Sequence, residues 1–205
     1  MSGPHKEYKN ILIDFHGPTC PVYADKVNTI LKIFNQYGVN LSFKESWPSA
    51  AIKFRNRLHI EWLEELCKKY NIDYNTIRHQ ITFDRNIYKK ISPLTSKFII
   101  NNKDKIILFS FSTQNVLRQI IEKNKFLSDN KIIFYAESEK FENRNKMLIS
   151  ILEEHQINNS NTIILDDRDI SSYTGLNAEI KLYDYPIGIN SNIYKKIIKG
   201  QKYLP

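Results

Sequence analysis

Long hydrophobic runs are missing from this sequence. No apolar stretch approaches the roughly 20 residues that a membrane-crossing helix needs, and the opening MSGPHKEYKN has no apolar core of the kind a secretory signal requires. Cysteine is equally scarce. Cys20 and Cys67 are the only two, and they stand in no C-x-x-C or other metal-binding or redox spacing, so reduced thiols are expected. Internal repeats and Gly/Ser-rich linkers are also absent. Together these absences lead to the expectation of a soluble, cytoplasmic protein with no membrane partner.

What is present suffices for a core. Of the 205 residues, 41% are hydrophobic and 12% aromatic, which excludes wholesale disorder and allows one generous domain or a compact core with an accessory module. The net charge of +8 attracts anions, whether phosphorylated metabolites, nucleic acid or an acidic surface. The lysines are dispersed, as on a solvated face, and this favours a small phosphorylated partner over nucleic acid. Oligomeric state stays open.

Five short apolar runs punctuate the chain: ILIDF (11–15), KIILFS (105–110), KIIFYA (131–136), TIILDD (162–167) and IKLYDY (180–185). Their length and β-branched or aromatic content suit buried strands. Helical patterns lie between the later runs, notably NVLRQIIEKN and NKMLISILEEHQ, where Met147 and Ile151 mark an apolar stripe. Alternating strand and helix implies right-handed crossovers and a mostly parallel sheet covered on both faces. The interval 21–100 breaks the alternation. It reads as successive helices over 22–38, 43–57, 59–71 and 73–91, an inserted helical module over the carboxyl ends of the sheet.

Polar residues recur at the strand ends. Asp14 ends the first, Ser110 the second with Ser112 as a rival, and Asp166 with Asp167 the fourth, while Lys146 opens the helix after the third. Each is expected at the carboxyl edge, where ligands of open α/β sheets bind. A carboxylate that can attack phosphorus, acids that can hold Mg²⁺, and a hydroxyl and an ammonium that can neutralise phosphate oxygens form a set suited to phosphoryl chemistry.

In their order and spacing these motifs resemble the haloacid dehalogenase (HAD) superfamily over nearly the whole chain: ILIDFHGPT beside its D-x-D-G-T strand, IILFS at Ser110, a lysine at Lys146 with Lys140 in reserve, and IILDD at Asp166 and Asp167. The resemblance implies an α/β fold, with a Rossmannoid core over 1–20 and 101–205 and a helical C1-type cap over 21–100. It further implies a Mg²⁺-dependent hydrolase, a phosphatase of a small phosphorylated metabolite or nucleotide, in which Asp14 attacks phosphorus to give an aspartyl-phosphate. Asp14, the His16 carbonyl, Asp167 and Asp166 are the implied metal ligands, and Ser110 and Lys146 would hold the transferring group. The cap arginines Arg55, Arg57, Arg78 and Arg85 are candidate anion contacts.

His16 departs from the pattern, since phosphatases of the family carry a second Asp there as general acid and base. Three readings follow. His16 replaces that Asp, as an imidazole can; or the enzyme attacks carbon, as dehalogenase-like and phosphonatase-like branches do; or the site is a catalytically inactive phosphate- or nucleic-acid-binding module. Pro18 stands where the family's Thr is usual, so a differently shaped loop is expected. Asp169 is expected to cap a helix beginning near Ser171.

Overall fold

The computed structural model describes residues 7–55, 58–81, 90–136, 139–168 and 173–201. Five parallel strands, β1 (Asn10–Asp14), β2 (Ile106–Ser110), β3 (Ile133–Ala136), β4 (Thr162–Asp166) and β5 (Glu179–Leu182), form one sheet in the order β3-β2-β1-β4-β5. All five expected runs are therefore strands. The three central ones are buried almost throughout, while β3 and β5 at the edges are half-covered. Burial on both faces explains the unbroken apolar runs at the centre.

Period-two alternation sends side chains to two cores. Ile11, Ile13, Ile106, Leu108, Ile163 and Leu165 face one side, against α5 (Pro93–Asn101), α6 (Gln114–Lys123) and α9 (Ser191–Ile198), with the short α7 (Phe126–Asp129) at the margin. Leu12, Ile107, Phe109 and Ile164 face the other, against Met147, Leu148, Ile151 and Leu152 of α8 (Arg144–Glu154). The expected stripe of the 145–156 segment is thus the buried face of α8.

The interval after β1 forms α1 (Val22–Gln36), α2 (Phe43–Arg55), α3 (His59–Tyr70) and α4 (Tyr74–Gln80) around a core of their own, in which Val27, Ile30, Leu31 and Phe34 are buried with Trp47, Phe54 and Trp62. α4 begins on Asp73, whose carboxylate accepts from Thr76 N at 2.8 Å, and Ile81 already has extended backbone. The helix expected over 73–91 therefore stops early, and residues 82–89 lie outside the described ones. Three helices among the described residues add to the sequence reading: α5, started by Ser92 as cap and Pro93 in its first turn, the short α7, and α9, capped by Asn190. Phe98 and Ile99 of α5 pack beneath the sheet rather than among α1–α4. No helix among the described residues is long and apolar enough to cross a membrane.

Candidate active site

Strand periodicity decides which groups meet. Asp14 lies two residues beyond Leu12 and Asp166 two beyond Ile164, so both carboxylates face the α8 side of the sheet, and the pairing Ile13↔Leu165 sets their strands in register. Asp167 follows, and one oxygen from each of Asp14, Asp166 and Asp167 lies within 4.8 Å of the others. All three are buried, Asp14 to 1% exposure. Burial, with Asp166 close by, raises the Asp14 carboxyl to about 7 against the pull of Arg144, and burial with Asp14 and Asp166 close by pushes Asp167 well above the carboxylate range.

The loop after β1 is shaped for this cluster. Phe15 N donates to Phe109 O at 2.8 Å, Gly17 N to Cys20 O at 2.8 Å, and Cys20 N to Phe15 O at 2.8 Å. Gly17 has φ +109°, and a Cβ there would stand 2.5 Å from Asp167 Oδ2, so only glycine permits the approach. The loop closes through Thr19, whose hydroxyl donates to the Asp14 carbonyl at 2.9 Å. A threonine one residue late thus ties down the loop that Pro18 was expected to reshape.

The cation at the cluster is Arg144, which the sequence reading did not single out. Its Nη1 lies 2.5 Å from Asp166 Oδ2 and 3.1 Å from Asp14 Oδ2, and its guanidinium sits 5.7 Å from the Phe109 ring centroid. The contact with Asp166 is a hydrogen bond. The contact with Asp14 is an ion pair, and the attraction there is between charges. Lys146 does not join the site: its ammonium pairs with Glu142, and its side chain is 60% exposed. Helix geometry explains the exchange. Asn143 caps α8 by accepting from Lys146 N at 3.0 Å, which makes Arg144 the first helical residue, and Lys146, two residues on, points to another face. Lys140 is exposed in the turn before α8. The signal available in the sequence was a basic residue directly after a capping Asn.

Asp166 is committed within the chain. Its Oδ2 accepts from Arg144 and from the Tyr173 hydroxyl, and its Oδ1 accepts from Arg168 N at 3.0 Å. In contrast, both oxygens of Asp14 and Oδ2 of Asp167 are buried without a hydrogen-bond partner. Orphaned buried carboxylate oxygens are costly. Asp14 and Asp167 therefore fit a hard divalent cation, whereas Asp166 is placed to hold Arg144.

His16 and Ser110 complete the cavity. Ser110 Oγ lies 3.2 Å from His16 Nδ1 and 2.8 Å from Ser112 Oγ, so the rival serines form one chain with the imidazole. Burial and the charges of Arg144, Lys26 and Arg168 lower the His16 imidazole to about 4, so it is neutral at pH 7. These groups line a cavity of about 240 Å³ with Tyr23 and Lys26 of α1. Cys20 lies just beyond the loop; burial pushes its thiol up to about 12, which leaves an inert thiol. Arg78 is exposed near the end of α4, and Arg57, Arg85, Asp169 and Ser171 lie outside the described residues.

The class defined here is a doubly wound α/β protein with an acidic crevice at the carboxyl edge of its sheet and a helical insertion after the first strand. No protein-family model matches the sequence, and no curated protein matches it significantly. Among solved structures, a hydrolase from Streptococcus pneumoniae TIGR4 superposes with a TM-score of 0.58 at 14% identity, covering 94% of this chain and 99% of that one. A HAD family hydrolase from Deinococcus radiodurans R1, solved with bound phosphate and sodium, superposes with a TM-score of 0.54 at 13% identity, covering 86% of this chain and 80% of that one. At such identity the likeness is one of fold, and the fold is the haloacid dehalogenase-like one.

Proposed function

We propose that the chain is a Mg²⁺-dependent phosphatase of a small phosphorylated metabolite or nucleotide, acting through an aspartyl-phosphate on Asp14. The supporting observation is charge. Asp14, Asp166 and Asp167 share their crevice with Arg144, and one divalent cation on Asp14 and Asp167 brings that set to neutrality. Lys26 and Arg168 also line the cavity wall and make it cationic. A phosphate ester near neutral pH carries about two negative charges, whereas a haloacid carries one. A cationic wall therefore favours the more highly charged phosphate.

When bound, the cation would offset charge on the phosphoryl oxygens and keep Asp14 ionised. Asp14 attacks phosphorus as the ester P–O bond breaks, and the leaving oxygen takes its proton from solvent. Arg144 retains a buried Nε–H without a partner to hold the transferring group, and the Ser110 hydroxyl, bonded to His16 and Ser112 in the free protein, turns to it. Water then attacks the aspartyl-phosphate and frees Asp14. A neutral imidazole can accept that water's proton, but its N–H is far too weak an acid to protonate the leaving group, so His16 acts as base only. Lys146, expected to hold phosphate, is replaced in this role by Arg144.

The test is phosphate release from nucleotides, sugar phosphates and an aryl phosphate, with and without Mg²⁺, beside Asp14→Asn. Release that requires both the metal and Asp14 supports the reading. Halide release without phosphate release, or ligand binding without product, sinks it.

A further inference from the structure

The reaction cavity does not end at the carboxylates. Phe111, Arg144 and Arg168 also line a second cleft of about 740 Å³, which runs along the start of α8 towards Tyr173 and Thr174. The first cavity, about 240 Å³, has room for a phosphoryl group and a few further atoms, whereas the second has the size of ordinary small-molecule sites. Its polar groups want partners. Asn145 donates to Thr174 O at 2.7 Å, yet its own Oδ1 is buried and accepts nothing. Lys146 stands on the rim, held by Glu142 in a pair whose side chains are 60% and 72% exposed. Such a pair contributes little and is readily exchanged for another anion.

We infer that the leaving group of the substrate lies in this second cleft and carries a second anionic group, read by Lys146 and Arg168, on a hydroxyl-bearing scaffold of nucleoside size. The inference rests on the phosphatase reading, and it gives Lys146 a place in specificity. Arg168, which lines both spaces, spans the two anions, while Asn145 Oδ1 accepts from a hydroxyl of the scaffold. Glu142 occupies Lys146 in the free protein and must be displaced.

The probes are a nucleoside 3′,5′-bisphosphate, the matching 5′-monophosphate and an aryl phosphate, with Mg²⁺ at low ionic strength. Wild-type kcat/KM is expected to favour the bisphosphate over the monophosphate by about tenfold, the scale of one charge-assisted contact. Lys146→Glu should abolish that preference, mainly through KM, and Glu142→Gln should increase it. Both side chains are exposed, so neither change threatens folding. Equal turnover of bisphosphate and monophosphate, or a preference that neither substitution alters, overturns the inference. If no phosphate is released from any substrate, the phosphatase reading has failed instead. Calorimetric affinities of the two nucleotides for wild type and Lys146→Glu then decide the cleft: a bisphosphate preference lost in the variant upholds it, and equal affinities overturn it.

Discussion

Replacing Arg144 by Met removes the one guanidinium on which two buried carboxylates lean. At separations of 3.1 and 2.5 Å, the two attractions amount to about 5 and about 7 kcal/mol at an effective dielectric near 20. Desolvation of the ions offsets much of that, and breaking a buried pair by deleting one partner costs about 3–5 kcal/mol. Without Arg144, which pulls against burial, Asp14 titrates higher still. The folded state then holds protons that the unfolded chain releases near pH 4, so its stability falls as pH rises. Urea unfolding of Arg144→Met in EDTA should show the loss in full at pH 7.5 and a smaller loss at pH 5. Excess Mg²⁺ should restore part of it, through ligand linkage and neutralisation of the carboxylates. A loss below about 1 kcal/mol at pH 7.5, on a scale where a typical substitution costs that much, would refute the account, as would equal losses at the two pH values.

Gly17→Ala should cost about 1–3 kcal/mol through its left-handed backbone and its clash with Asp167 Oδ2, and it should weaken Mg²⁺ binding in calorimetry while the far-UV spectrum is kept. In metal-free protein Asp14, raised to about 7, makes folding less favourable as pH rises from 4 to 7, whereas His16, lowered to about 4, makes it more favourable as pH rises from 4 to 6.5. The two oppose each other, and Asp167, also raised, adds to the Asp14 side, so the Tm of metal-free protein should fall as pH rises. Mg²⁺ keeps Asp14 ionised and removes its part, so the Mg²⁺-induced rise in Tm should be greater at pH 8 than at pH 5; a shift independent of pH counts against the assignment. Because no group protonates the leaving oxygen, turnover should climb steeply as the leaving alcohol becomes more acidic across a series of aryl and alkyl phosphates, and a flat series would contradict a base-only His16.

The sequence by itself determined the sheet and the identity of its carboxylates. A central parallel strand must be apolar on both faces, which makes ILID, IILFS and IILD stand out, and a polar residue ending such a run can hardly lie elsewhere than at the carboxyl edge. The helices were legible where an apolar stripe was long. α5 was not read because its start signal, Ser92 and Pro93, lay inside a stretch assigned to the insertion, although its side chains pack under the sheet. Only the tertiary structure decided which cation serves the carboxylates, because Arg144 and Lys146 are two residues apart and a helix of 3.6 residues per turn points them in different directions. It likewise decided that Asp166 is spent on Arg144, Tyr173 and Arg168 while Asp14 and Asp167 keep oxygens to offer. Hydrogen-bond satisfaction belongs to groups brought together from distant parts of the chain, and no local pattern in the sequence records it.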